Sequence, residues 1–239
     1  MANYWQKALN AVFYANPVKL KQLIDEGHFY KQLLTDTSLL ENPLPIWRIP
    51  QMWEDCIHDP KDWSEKAQPD VIDFIGRVHQ IKAILAKEFG IEYTPVDYAA
   101  YRSELCMYEP DDSMEEVLSV EDAKVFCNSE RRLIDIELFC ASEKYNYVRV
   151  KELLLQGANP SAPAPEDEMS LYTLIGSDCA CYFYDISSAL DNVHHNPVDE
   201  DDMHRLLRVA ADERMFQLLR EYDTTPMDQR VGGRYTGEE

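Results

Sequence analysis

Two stretches of the chain share one pattern of apolar and polar positions and overlay without a gap. The first is Ala11 to Gly27, AVFYANPVKLKQLIDEG, and the second is Ala141 to Gly157, ASEKYNYVRVKELLLQG. Each begins with Ala and has Asn five residues later, at Asn16 and Asn146. An apolar-Lys-x-apolar-apolar block follows, Leu20 to Ile24 in one and Val150 to Leu154 in the other, and Gly closes each segment. The apolar positions of the block recur at i, i+3 and i+4, so a helix there gathers them into one buried stripe. Asn suits a tight turn because its short side chain bonds the local backbone. Gly ends the second helix because it accepts the left-handed conformation at little cost. The prediction is a pair of short antiparallel helices, written twice.

The same block recurs at Ile81 to Leu85, with Gly90 as its stop, and at Met215 to Leu219, where Tyr222 takes the place of the expected Gly. The four blocks begin at 20, 81, 150 and 215. Val71, Ile72, Phe74, Ile75 and Val78 extend the second of them into a long amphipathic helix. Ser113, ahead of Glu115 and Glu116, marks another helix start. Pro163 and Pro165 with Glu166 to Glu168 mark a solvated loop, and Pro197 with Asp199 to Asp202 opens a last helical pair. The residues from 223 to 239 read as a mobile tail. The fold class expected is all-α.

One helix pair cannot hide its own apolar faces and must stack on neighbours, as helical repeats do. Val150-Lys151-Glu152-Leu153-Leu154-Leu155-Gln156-Gly157-Ala158-Asn159-Pro160 resembles the second helix and exit turn of an ankyrin repeat. Thr94-Pro95-Val96-Asp97-Tyr98-Ala99 is similar to the Thr-Pro start of that family's first helix, and Asn42-Pro43-Leu44 is a fainter version. In this motif Thr caps the helix and Pro occupies its first turn, where a missing N–H does no harm. The resemblance implies an ankyrin-like solenoid of stacked antiparallel helix pairs with long non-consensus insertions, forming a single domain over residues 1–222. The departures are specific: Tyr145 stands where the family has its turn Gly, Ile136-Glu137 where it has Thr-Pro, and residues 28–69 and 100–132 follow no consensus. Block spacings of 61, 69 and 65 residues are about twice the ~33-residue ankyrin period, or one period plus insertions.

Charge narrows the partners. With 44 Asp and Glu against 23 Lys and Arg, the net charge of −21 opposes phosphate backbones and anionic lipid surfaces. Neither a nucleic acid nor a membrane is therefore expected as a partner. A basic protein would be drawn to such a chain, most strongly at low salt, although acidity also simply favours solubility. No stretch approaches the ~20 apolar residues of a spanning helix, and no signal peptide is visible at Met1 to Asn10. The six cysteines are scattered rather than framework-like, so a reduced, cytoplasmic setting is expected.

Candidate chemistry is sparse. Cys179-Ala180-Cys181 has neither the spacing nor the further ligands of a zinc site and reads as core cysteines. His194-His195 and His204 lack a completing ligand, and Asp199 to Asp202 lacks the Gly and closing Glu of a calcium loop. No Gly-rich phosphate loop, nucleophile elbow or zincin motif is present. The expectation is a non-catalytic protein without cofactor or metal.

The family's members bind partners with inner helices and hairpin tips, so the resemblance implies a binding surface on the concave face. Tyr and Trp beside charge are typical of such surfaces. The candidate partner-binding residues are Trp47, Trp53, Tyr98, Tyr101, Tyr108, Asp111, Asp112 and Glu115. Trp47 and Trp53 are six residues apart and do not share a helical face, so at least one of them is open to a core role. Three other readings stand beside this one: an immunity protein whose acidic stack blocks a basic toxin, an enzyme or metal protein hidden in the non-consensus helices, and a structural scaffold that self-associates.

Overall fold

A computed structural model describes residues 4–35, 44–57, 65–105, 124–129, 131–162 and 197–223. The described residues are helical throughout their regular structure and contain no strand. Ser113, the 163–168 loop, His194, His195, Cys179, Cys181 and the tail beyond residue 223 lie outside them. Contacts divide the chain into two compact units, Met1–Val96 with Cys181–Ala210, and Asp97–Ala180 with Ala211–Glu239.

In the first unit, α1 (Tyr4–Phe13) and α2 (Pro17–Asp25) form the first predicted pair. A short α3 (Lys31–Thr35) follows, then a 3-10 turn (Ile46–Arg48) leading into α4 (Ile49–Cys56), and then α5 (Gln68–Phe89). The long α5 begins with Pro69 in its first turn, where proline fits, and stops at Gly90, whose φ of 67° is left-handed. Of its apolar positions Val71, Phe74, Val78, Ile81 and Leu85 are buried, as the spacing predicts, whereas Ile72 is 55% exposed.

The core of this unit is aromatic at its centre. Trp53 is 1% exposed and donates its indole N–H to the Phe13 carbonyl at 2.8 Å. Its ring meets Phe13 and Phe74 edge-on, with centroids 5.6 and 5.0 Å apart. Buried apolar surface supplies the main driving force, and the indole bond fixes the orientation without leaving a donor orphaned. Asn10 ties in the later segment, accepting from the Val198 amide at 3.1 Å, while Gln6 donates to the Val198 carbonyl at 2.8 Å.

In the second unit, a 3-10 turn (Tyr98–Tyr101) precedes the short α6 (Arg102–Leu105), and α7 (Leu133–Glu143) pairs with α8 (Tyr147–Leu155). Leu138, Ala141, Val150, Leu153 and Leu154 pack with Met215, Phe216 and Leu219 of the last helix, α9 (Glu200–Tyr222). Residues of α9 up to 210 belong to the first unit and those from 211 to the second.

Both helix pairs close with one set of backbone bonds. The Asn16 amide donates to Ala11 at 2.8 Å and the Asn146 amide to Ala141 at 2.9 Å. The Asn side chains cap α2 and α8, accepting from Lys19 at 2.9 Å and Arg149 at 3.2 Å. At the exits, Gly27 donates to Ile24 and Gly157 to Leu154, both at 2.9 Å. Every one of these partners in the second pair stands 130 positions after its counterpart in the first.

Two local expectations change. Thr94-Pro95 does not start a helix: residues 91–97 are irregular, and the 3-10 turn begins four residues on. Thr94 is instead held by Arg48, and Val96 is buried. The expected last helical pair is one continuous 23-residue helix, because no Gly or Pro interrupts residues 200–222.

Candidate functional site

The Pro45 to Pro50 segment decides which side chains of the first unit face outward. Ile46 and Ile49 point into the core three residues apart, which leaves Trp47 and Arg48 between them half-buried at the surface. The Arg48 guanidinium lies over the Trp47 ring, 4.1 Å from its centroid. One terminal nitrogen, Nη1, donates to the Thr94 carbonyl at 2.8 Å and to the Thr94 hydroxyl at 3.2 Å. Beside it, Tyr93 meets Trp47 edge-on at 6.2 Å.

Helical spacing brings charge to this aromatic pair. Gln51 and Glu54 are one turn apart on α4, and His79 and Lys82 are one turn apart on α5. Lys82 Nζ donates to Gln51 at 3.0 Å, forms a close ion pair with Glu54, and lies 4.6 Å from the centre of the Tyr93 ring. The exposed His79 reaches the other Glu54 oxygen at 3.3 Å. The Tyr93 hydroxyl is buried and makes no hydrogen bond among the described residues. Burial and the nearby Glu54 charge push this phenol well above its ordinary range, so it stays neutral.

No family model matches the chain, and neither a curated protein nor a solved structure matches it.

The sequence-predicted partner residues separate. Trp47 sits at the surface just described. Trp53 is the centre of the core, and Tyr98 is 3% exposed, so both are corrected from partner contacts to packing residues. The physical reason for Trp53 is direct: its N–H and both ring contacts are satisfied internally. Tyr101 is half-buried, and Tyr108, Asp111, Asp112 and Glu115 lie outside the described residues. Arg48, Glu54, His79, Lys82 and Tyr93 were not anticipated. The i, i+3 spacing of Gln51 with Glu54 and of His79 with Lys82 was available, but only packing reveals that these pairs face each other.

Glu54, Lys82, His79 and Tyr93 thus form one cluster of ionisable side chains and an aromatic ring. Its carboxylate is committed to Lys82 and His79, and its phenol is neutral. Among the described residues no group of three or more His, Cys, Asp or Glu side chains could hold a metal ion, and no helix is long and apolar enough to cross a membrane. Burial pushes the Cys140 thiol up to about 11, which keeps it protonated at neutral pH and a poor nucleophile.

Proposed function

We propose that this chain is an ankyrin-like helical repeat protein that acts as a non-catalytic interaction module for a basic protein partner. The observation that carries the repeat reading is the pair of turns with matching hydrogen bonds, at Ala11 to Gly27 and Ala141 to Gly157. A chain that writes one helix pair twice needs neighbours to cover both, and stacking provides them. The concave face of such a stack is the expected contact surface. A net charge of −21 supports a basic partner, because it raises the local concentration of cations and speeds their encounter.

The test is binding by the immobilised full chain at rising ionic strength. Retention of a basic protein whose affinity falls as salt screens the interaction supports the reading. Affinity flat across the salt series removes its electrostatic part, and binding confined to acidic or neutral partners overturns it.

A further inference from the structure

We propose that the Trp47–Tyr93 shelf, one ring away from the Glu54 carboxylate, receives an arginine or lysine side chain of the basic partner. The incoming cation takes the indole face that Arg48 covers in the free chain. This rests on the basic-partner reading and gives it a contact point.

Both rings of the shelf already attract cations, because the face of an aromatic ring carries negative charge density. Arg48 covers Trp47 at 4.1 Å and Lys82 covers Tyr93 at 4.6 Å. The two cations are held very differently. Lys82 is half-buried and anchored by Gln51 and Glu54. Arg48 forms no ion pair with a carboxylate among the described residues, and one nitrogen alone bonds Thr94, an exposed residue. Lys82 is thus part of the scaffold and Arg48 is the displaceable occupant.

Charge favours the exchange. The incoming side chain enters the field of a chain with 44 acidic residues against 23 basic ones. Glu54 lies beside the ring that Lys82 covers, and its second oxygen is met by an exposed histidine at 3.3 Å rather than by a buried cation. A residue that must leave before the partner docks lowers the apparent affinity by the fraction of time it is in place. Arg48 then acts as an internal competitor.

The experiment uses the full chain labelled with 15N and a hexa-arginine peptide, with hexa-citrulline as the uncharged control of the same shape. The Trp47 indole N–H signal, assigned by its loss in Trp47→Phe, is expected to shift saturably with hexa-arginine and not with hexa-citrulline. Arg48→Ala is expected to bind hexa-arginine roughly threefold tighter, since the face is vacant, and Trp47→Leu several-fold weaker. Circular dichroism of each variant checks that the helices persist, and Arg48→Ala tests the idea even where Trp47→Leu does not fold. Hexa-arginine binding that leaves the Trp47 signal unmoved, or weaker binding by Arg48→Ala, overturns this contact and leaves the basic-partner reading standing. Absence of any hexa-arginine binding at low salt removes both.

Discussion

The turns at Ala15-Asn16 and Tyr145-Asn146 have nearly the same backbone and very different side chains. Both place a non-glycine residue in the left-handed region, Ala15 at φ 46° and Tyr145 at φ 49°. That conformation costs an L-residue roughly 1–2 kcal/mol. Ala15 meets the cost with a small side chain that is fully buried. Tyr145 meets it with a second bond: its hydroxyl donates to the buried Asp212 at 2.7 Å. The comparison teaches that the turn is imposed by what surrounds it, the Asn cap and the two packed helices. The strained residue is then free to take on a local task.

The largest effect expected from this difference is at Tyr145. Replacing it with Ala removes a buried ring and the bond to Asp212, and about 3 kcal/mol of stability is expected to go with them. Tyr145→Phe keeps the ring and isolates the bond, for roughly 1–2 kcal/mol. Equal thermal stability of wild type and Tyr145→Phe would show that the hydroxyl contributes nothing to holding the strained turn.

Next comes a feature that only the second pair has. Asp135 is buried at the start of α7 and accepts from the Arg132 side chain at 2.7 and 2.9 Å and from the Asn159 amide at 2.7 Å. Burial alone would raise its carboxyl, but the bonds from Arg132 and from the Asn159 and Arg132 amides outweigh it and hold the group below the ordinary range. A carboxyl lowered by folding stabilises the fold above its unfolded value and loses that contribution as pH falls toward its folded one. Stability is therefore expected to decline below about pH 4. Asp135→Asn is expected to cost roughly 2 kcal/mol at neutral pH and to flatten the decline. An unchanged acid limb in that variant would assign the decline to other carboxylates.

The apolar-Lys block with its Gly stop was enough to place α2, α5 and α8, where a buried stripe and a stop residue agree, and the block at Met215 to Leu219 falls within α9. The sequence pattern failed at Thr94-Pro95, where residues 91–97 are irregular and Thr94 accepts a bond from Arg48, 46 positions earlier. It also failed to part Trp53 from Trp47: their spacing put them on different faces without saying which face was inward. The flanking Ile46 and Ile49 hold that answer, since both are buried around Trp47 and leave it outward. The cluster around Glu54 was illegible for a plainer reason. Its members come from α4, α5 and the segment after Gly90, and one-dimensional spacing does not record which helix faces meet.

Where the two turns are alike, substitutions are expected to act alike. Gly27 and Gly157 sit at φ 73° and 87°, and a Cβ added to either meets no atom within 4 Å. Their replacement by Ala thus reports backbone conformation alone, and each is expected to cost about 1 kcal/mol. Thermal melts that differ between Gly27→Ala and Gly157→Ala by more than this amount would break the equivalence of the two exits.

The smallest effect, and the sharpest use of the comparison, is Ala15→Gly. Glycine relieves the left-handed strain, a gain of roughly 1 kcal/mol. It also gives up a fully buried methyl, worth about 0.8 kcal/mol, and loosens the unfolded chain. The terms oppose one another, and the net change is expected to stay within about 0.5 kcal/mol of zero in thermal or denaturant unfolding. Tyr145→Gly relieves the same strain yet forfeits the ring and the Asp212 bond, so it is expected to be clearly destabilising. A marked loss on Ala15→Gly would mean that the methyl packs more tightly than its size suggests. The first turn would then depend on its own side chain as well as on its surroundings.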